Sequence, residues 1–304
     1  MNVLVATDTS PCSQAAIESV LRMNCGSEAE LKVINVVDLF EPLLALNKEK
    51  AMEQAHQYIA TVVGNIQTAL PHAKVFGDVL IGYPDQVITK AAHEFNANLI
   101  VMGSHGRTGL TRFLWGSVSR AVLLGAPCAV RIVRQTDSHN TRQNNHVLIA
   151  LDESEDSAHS AHILQHVLES SWSEGTRFKC ISVVSDEYKY VFLEPPQAAG
   201  LAVQQEDTFS HVASSLRQRV TRLNLAFGEG TSTFEVLEGD PRLRILEAAD
   251  NWNAGLIVMG SHARKPIEAI LLGSVSDAVS SHAHCAVEIT RIPAKKPEEM
   301  HAIV

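Results

Sequence analysis

The sequence predicts an α/β protein of two tandem domains, each a five-stranded parallel sheet covered by helices. Three observations lead to this prediction. The chain has 304 residues, about twice a common domain size. Short apolar runs rich in β-branched residues alternate with longer segments of helical periodicity. Several sequence blocks also occur twice, in the same order, which indicates an internal repeat.

The repeat is defined by four pairs of blocks. In chain order they are VLVATD ending at Asp8 and VLIALD ending at Asp152, LIVMGSH at 99–105 and 256–262, GSVS at 116–119 and 273–276, and CAV at 128–130 and 285–287. The offset grows from 144 to 157 positions along the chain. The second half therefore carries extra residues, mostly between Val183 and Gly239.

The elements of the first half follow from periodicity. Five runs are apolar almost throughout, as strands buried on both faces are: NVLVAT, ELKVINVV, AKVFGDVL, ANLIVM and CAVRIVR. Four segments have apolar residues at spacings of three and four and predict helices: SPCSQAAIESVLRM, KEKAMEQAHQYIATVVGNIQTAL, PDQVITKAAHEF and SVSRAVLLG. Ser10 before Pro11 and Tyr83 before Pro84 are predicted helix starts, because proline is tolerated in a first turn.

The polar, aperiodic stretch RQTDSHNTRQNN separates the two repeats and predicts the domain boundaries. We expect a first domain at 1–134, a linker at 135–145, a second domain at 146–292 and a loosely held tail at 293–304.

Composition excludes several classes of function. A formal net charge of −9 without a basic stripe argues against nucleic-acid binding. No apolar run approaches the roughly 20 residues of a membrane span, and we read no secretion signal, so a cytoplasmic protein is expected. The five cysteines are sparse and lack CxxC spacing, which predicts reduced thiols and no disulfide.

The stretch GSHGRTGLTRFLWGSVS at 103–119 predicts a phosphate site. Gly103 and Gly106 let the chain turn at the end of a strand and let amides approach a ligand. The helix that begins near Gly116 offers unpaired N–H groups in its first turn. Ser117, Ser119 and Arg107 add hydroxyls and a cation. The alternative is that the glycines form ordinary turns and Ser117 is an N-cap; recurrence of the motif after an equivalent strand favours the site.

The same residues carry a family resemblance. The chain resembles a tandem member of the universal stress protein family, with two UspA-type domains. ATP-binding members share a glycine, two residues, a glycine, nine residues, then Gly-Ser or Gly-Thr, and Gly103, Gly106, Gly116 and Ser117 fit this pattern. The aspartate after the first strand, the IGYP turn and the APCAVRIV strand extend the resemblance over nearly all of each repeat.

The resemblance implies a Rossmann-like, adenine nucleotide alpha hydrolase-like fold with strand order 3-2-1-4-5. It implies ATP across the carboxyl ends of the first and fourth strands, with Mg or Mn bound through its phosphates. Asp8 would contact the nucleoside and the Val36 backbone the adenine, although Asp8 could instead cap the first helix. The candidate ATP-binding residues of the first half are Ala6, Thr7, Asp8, Val36, Met102, Gly103, Gly106, Arg107, Gly116, Ser117, Val118 and Ser119.

The second half departs from the pattern at one position. It keeps as candidates Asp152, Val183, Gly260, Gly273, Ser274 and Ser276. Ala263 replaces the middle glycine, where a Cβ costs on the order of 1 kcal/mol if the backbone needs φ > 0, and Pro266 stiffens the loop. We therefore expect the first half to bind ATP and the second to bind it weakly or not at all.

The resemblance also implies pairing through the last strands. The tandem chain would form an internal pseudo-dimer, with CAVRIV against CAVEIT. Whether two chains associate further, as a homodimer, is left open.

Clustered histidines are the rival sites. His159, His162 and His166 lie near one helix face, which we expect to be solvated because no Cys or carboxylate completes a ligand set in that segment. His282 and His284 precede Cys285 and predict a loop followed by a buried cysteine. His105 and His262 recur without a nucleophile beside them, and we expect them to be loop residues that line the pocket.

Three classes of function remain. The favoured one is an ATP-binding stress or signalling module whose state an unknown protein partner reads. An ATPase or nucleotidyl-transfer enzyme lacks a clear general base or metal-carboxylate pair near the loop. A nucleotide-free scaffold or chaperone-like dimer conflicts with the intact loop of the first half.

Overall fold

A computed structural model describes residues 1–26, 28–38, 47–104, 116–134, 145–152, 158–185, 195–261 and 272–291. Side chains between 195 and 207 are not described. Most of the predicted linker and the whole predicted tail lie outside these ranges.

The first half contains the nine predicted elements. They are β1 (Asn2–Ala6), α1 (Pro11–Leu21), β2 (Glu30–Val37), α2 (Lys48–Ala69), β3 (Lys74–Ile81), α3 (Pro84–Glu94), β4 (Leu99–Gly103), α4 (Ser117–Gly125) and β5 (Ala129–Val133). Ser10 is the N-cap of α1 and Tyr83 that of α3, each followed by proline, as predicted.

The second half repeats this order. Its elements are β6 (His146–Ala150), α5 (Ala158–Glu169), β7 (Arg177–Val184), α6 (Pro195–Phe227), β8 (Ser232–Glu238), α7 (Pro241–Asn251), β9 (Leu256–Gly260), α8 (Ser274–His282) and β10 (Ala286–Thr290). Helix α6 has 33 residues where α2 has 22, so much of the extra sequence of the second half lengthens this helix.

The ten strands that the structure describes belong to one sheet, in the order β3-β2-β1-β4-β5-β10-β9-β6-β7-β8. Strands within each half are parallel, whereas β5 and β10 are antiparallel. Each half thus has the expected order 3-2-1-4-5, and the last strands pair at the centre.

Helices cover both faces of the sheet, and the apolar core is continuous between the two halves on only one of these faces. On one face, a single apolar cluster runs through both halves, from Leu4 and Ile100 to Leu148 and Ile257. On the other face, each half has its own cluster, built around α1 and α2 or around α5 and α6. The shared cluster makes the two halves one packed body on that side.

Two expectations from composition concern membrane spans and cysteines. Among the described helices, none is long and apolar enough to cross a membrane. All five cysteines are free thiols, four of them buried, as expected of a protein without disulfides. Burial raises the pKa of the Cys128 thiol to about 12, so this side chain stays protonated.

Candidate functional site

The carboxyl ends of three strands bring the first-half candidates to one edge of the sheet. Ala6 of β1 is level with Ile34 of β2 and with Met102 of β4. Because parallel strands end at the same edge, Asp8, Val36 and Gly103 follow at this edge. These three predicted site residues therefore lie together at one edge of the sheet.

Asp8 is held by the start of α1. Its Oδ1 accepts the N–H of Ser10 at 2.9 Å and the hydroxyl of Ser13 at 2.5 Å, and its own N–H donates to Ser13 Oγ at 2.9 Å. The N-cap of α1 is Ser10, which accepts the N–H of Ser13, so Asp8 does not cap this helix. Among the described residues, Oδ2 of Asp8 accepts no hydrogen bond and can receive one from a ligand hydroxyl.

A polar network that the sequence did not indicate lies next to Asp8. Tyr58 of α2 donates its hydroxyl proton to the carbonyl of Asp8 at 2.8 Å and lies 2.8 Å from Thr7 Oγ1. Asn35 donates from Nδ2 to the carbonyl of Thr7 at 2.8 Å. Burial raises the pKa of Tyr58 and outweighs the hydrogen bond from Thr7, so the phenol stays a donor.

One sequence signal could have found Tyr58. It lies on α2 next to a buried apolar stripe formed by Ala55, Ile59, Val62 and Ile66. A tyrosine beside such a stripe puts its ring against the core, and its hydroxyl then needs a partner at the core boundary. Sequence alone does not identify that partner.

Gly103 has a packing role that the sequence did not indicate. It does not have a positive φ, so no left-handed turn requires glycine here. A Cβ at this position would lie 2.7 Å from the carbonyl carbon of Cys12 and 2.8 Å from the backbone nitrogen of Ser13. Glycine is therefore needed because the first turn of α1 packs directly against the end of β4.

The start of α4 is tied to the end of β4. Gly116 donates its N–H to the carbonyl of Ser104 at 2.9 Å, and Ser119 Oγ donates to the carbonyls of Ser104 at 2.9 Å and of Gly116 at 3.0 Å. The Gly116 amide and the Ser119 hydroxyl, both predicted to bind phosphate, thus form hydrogen bonds within the protein. This corrects the role given to these two groups.

The next amides of α4 remain available. The helix's first backbone bond runs from the N–H of Arg120 to the carbonyl of Gly116. The N–H groups of Ser117 and Val118 consequently have no partner within the helix, and the Ser117 side chain is exposed. A helix N-terminus of this kind attracts anions.

The second half reproduces the architecture of this turn. Gly273 donates its N–H to the carbonyl of Ser261 at 2.9 Å, and Ser276 Oγ donates to the carbonyls of Ser261 at 3.3 Å and Gly273 at 3.0 Å. Ser274 begins α8 with an exposed side chain. The hydrogen bonds between the start of the helix and the end of the preceding strand therefore explain the repeated GSVS block, whether or not a nucleotide binds.

The side chains that form the polar network of the first half are replaced by others in the second. Leu151, Ser182 and Ser215 occupy the positions of Thr7, Asn35 and Tyr58. Leu151 is 5 % exposed and belongs to the core. The edge of the second half thus has an apolar side chain where the first half has a buried hydroxyl.

The remaining second-half candidates also differ from their counterparts. Asp152 is exposed, and its carbonyl accepts the hydroxyl of Ser160 at 2.7 Å. A Cβ at Gly260 would lie 3.4 Å from Ile163 Cδ1, an ordinary contact, so packing does not require this glycine. Val183, like Val36, is half-buried against the apolar cluster that both halves share.

Other candidates have limited roles or are not described. Ala6 and Met102 are buried in the core, and Val118 is half-buried against it. Six residues of the two loops lie outside the described residues, namely His105, Gly106, Arg107, His262, Ala263 and Pro266.

The expected solvated histidine face is wrong for one member. His166 is 13 % exposed, and its Nε2 lies 2.5 Å from Oε1 of Glu288 on β10. His159 is exposed, and burial lowers the pKa of half-buried His162. In the described part of the chain, no three His, Cys, Asp or Glu side chains form a metal site. Cys285 is buried as predicted, but exposed His282 ends α8 and does not lie in a loop.

The fold and the edge define a tandem α/β protein with two Rossmann-like halves. The sequence pattern of the universal stress protein family matches residues 1–134 and 143–291. The chain belongs to this family.

Known relatives agree with this assignment. A putative universal stress protein of Staphylococcus aureus is 31 % identical over 147 residues, which cover 44 % of this chain and 83 % of the relative. A universal stress protein of Archaeoglobus fulgidus has a similar structure, with a TM-score of 0.65, 24 % identity and coverage of 95 % of this chain and 98 % of that one. A putative universal stress protein of Pseudomonas aeruginosa gives 0.56 at 14 % identity, with coverage of 95 % and 92 %. These two structures support the fold over both halves.

Proposed function

We propose that this protein is an ATP-binding stress or signalling module whose nucleotide site lies in residues 1–134. The observation that carries the proposal is the fixed Asp8 carboxylate, which is held through Oδ1 and has Oδ2 available at the edge shared with Gly103. The amides of Ser117 and Val118, which have no partner within α4, supply an anion-binding element for phosphates. Val36 lies at the same edge, where the resemblance expects the adenine.

The second half, residues 146–292, is proposed to bind ATP weakly or not at all. It has Leu151 in place of Thr7 and Ser215 in place of Tyr58, so the threonine hydroxyl and the tyrosine phenol that lie next to Asp8 are replaced by other side chains at these positions. Ala263 in place of Gly106 adds a Cβ to the loop pattern. Both differences weaken the same site.

A divalent ion, Mg or Mn, would arrive with the phosphates. The described residues contain no cluster of three potential metal ligands. Such an ion would depend on the nucleotide for most of its ligands.

A binding module is favoured over an enzyme by the groups at the described edge. Asp8 accepts two hydrogen bonds through Oδ1, and Tyr58 is a protonated donor whose pKa is raised by burial. Phosphoryl transfer generally needs positioned metal-binding carboxylates and a group that orients the nucleophile. The protein's state would then be read by a protein partner, and we place it in the cytoplasm.

The nucleotide that accompanies the purified chain tests the proposal. We expect denaturation to release intact ATP, and added ATP to stay intact over hours of incubation, measured by ion-exchange chromatography. Rapid formation of ADP would favour the ATPase, and absence of nucleotide together with no binding of added ATP would favour a scaffold.

A further inference from the structure

The centre of the sheet relates the two halves by an approximate two-fold axis. Strands β5 and β10 pair antiparallel, with Val287 opposite Ile132, Glu288 opposite Arg131 and Ile289 opposite Val130. Arg131 and Glu288 occupy the same position of the two repeats, 157 residues apart. At this position, each half faces its own counterpart.

The central pair has opposite charges and is buried. Nε of Arg131 lies 2.6 Å from Oε2 of Glu288, and the two side chains are 5 % and 0 % exposed. Glu288 also contacts His166, and Arg131 lies over the ring of Trp172 at 5.9 Å and contacts Ser19 Oγ at 3.5 Å. Both charges are thus removed from solvent at the contact between the halves.

This pair is poorly explained by stability alone. Nη2 of Arg131 is buried without a hydrogen-bond partner among the described residues. Burying two charges costs several kcal/mol per ion, and well-packed apolar residues of similar volume are often at least as stabilising. A charge pair kept at such a position is better explained by a role in selecting a partner.

A second position behaves in the same way. Arg120 Nη1 of α4 lies 3.4 Å from Asp277 Oδ1 of α8, at side-chain exposures of 57 % and 40 %. These residues are again counterparts, 157 positions apart. At both positions the first half has an arginine and the second half an acid.

One further pair of contacts across the axis does not discriminate between the halves. Arg134 donates to the carbonyls of Ser280 at 2.6 Å and Ser281 at 2.7 Å, and its counterpart Arg291 donates to the carbonyl of Leu123. Both halves have arginine here, and each binds backbone carbonyls of a helix in the other half. Such contacts would form equally well between two first halves or two second halves.

We propose that Arg131–Glu288 and Arg120–Asp277 make this interface selective for the opposite half. Two first halves joined through β5 would bring two Arg131 guanidinium groups together at the buried centre. They would also bring two Arg120 guanidinium groups together at the exposed position. Two second halves joined through β10 would bring carboxylates together at both places. Residues 1–134 therefore accept residues 145–291 as partner and reject a second copy of themselves.

Charge reversal in the full chain recreates the rejected pairings. Arg131→Glu places two carboxylates face to face, and Glu288→Arg places two guanidinium groups face to face. We expect each single variant to lower the folding equilibrium constant at least about a hundredfold, near 2.8 kcal/mol, in urea unfolding. The double variant Arg131→Glu/Glu288→Arg should recover at least about tenfold over either single variant, because it restores an opposite pair.

The exposed pair provides the second test. Arg120→Asp and Asp277→Arg should each lower the unfolding midpoint, and the double swap should restore it. This coupling should largely vanish near 1 M salt, where the Debye length is about 3 Å. The matched control is Lys32–Asp78, an ion pair of 2.7 Å within the first half, whose single reversals should change the folding constant less than about fivefold.

Two results would overturn the proposal. In the first, the folding equilibrium constants of Arg131→Glu and Glu288→Arg stay within about tenfold of that of the parent chain. The other is additive losses in both double swaps, with no recovery at either position. If a single variant at 131 or 288 yields no folded protein, a folded double variant Arg131→Glu/Glu288→Arg supports the proposal. If no variant at these two positions folds, the unfolding midpoints of the Arg120 and Asp277 variants decide between the outcomes.

Discussion

Gly103→Ala is expected to destabilise the folded chain by about 1–3 kcal/mol. The new Cβ would lie 2.7 Å from the carbonyl carbon of Cys12 and 2.8 Å from the nitrogen of Ser13. Both atoms belong to the backbone, so no side-chain rotation relieves the overlap, and α1 has to move away from β4.

The same change should weaken nucleotide binding beyond its effect on stability. The first turn of α1 contains Ser10 and Ser13, which hold Oδ1 of Asp8. Moving this turn displaces the carboxylate from its position at the sheet edge. We expect ATP affinity to fall at least about tenfold, because the contribution of a charged hydrogen bond is typically 1.5–3 kcal/mol.

Gly260→Ala is the matched control, because it follows the identical LIVM strand of the second half. Its Cβ would lie 3.4 Å from Ile163 Cδ1, the flexible end of a side chain. We expect a change in unfolding free energy below about 1 kcal/mol and unchanged ATP affinity. Urea unfolding and calorimetric ATP titration of both variants check the comparison, and equal effects of the two substitutions would contradict the account.

Glu288→Gln is expected to cost about 3 kcal/mol of stability near pH 7, because it leaves the Arg131 charge buried without a counter-charge. Burial alone would oppose ionisation of Glu288. Arg131 and His166 outweigh burial and lower the pKa of this carboxyl to about 2. The ionised carboxylate is thus the form that the folded protein stabilises.

The sign of the pH dependence follows from this pKa. An unfolded glutamate has a pKa of about 4.3, so the folded state gains stability from ionised Glu288 above that pH. The gain is lost as pH falls from about 4.3 toward 2. The difference between the parent chain and Glu288→Gln should therefore shrink over this range.

Urea unfolding at several pH values between 7 and about 2.5 measures this difference. Asp78→Asn, which breaks the partly exposed ion pair with Lys32, is the control and should cost less than about 1 kcal/mol. A cost of Glu288→Gln no larger than that of the control, or a cost independent of pH, would contradict the prediction.

The fold was predictable because its signals are local and repeated. Apolar runs such as LIVM predict the buried strands, and Pro11 and Pro84 predict the starts of two helices. The duplicated blocks predict the two halves. The meeting of CAVRIV and CAVEIT came from the family resemblance and is present as the β5–β10 pair. These features need no knowledge of distant side-chain partners.

The site was predicted in outline, and the missed groups depend on distant contacts. Tyr58 meets Asp8 from 50 residues away, and His166 meets Glu288 from 122 residues away, so neither partner can be read from local spacing. Ser119 was assigned to phosphate because its position near a helix start suits either role, and the structure directs its hydroxyl to backbone carbonyls. A motif gives positions, whereas hydrogen bonds decide which groups are available.

Calorimetric titration of ATP into the nucleotide-free full chain tests the central claim, a single site in the first half, most directly. We expect one site per chain, loss of binding in Gly106→Ala, and unchanged affinity at that site in Ala263→Gly. Gly106 and Ala263 occupy the same position of the two repeats, so each substitution introduces the residue that the other half has there. Two sites of equal affinity in the parent chain, or unaltered binding in Gly106→Ala, would contradict the account.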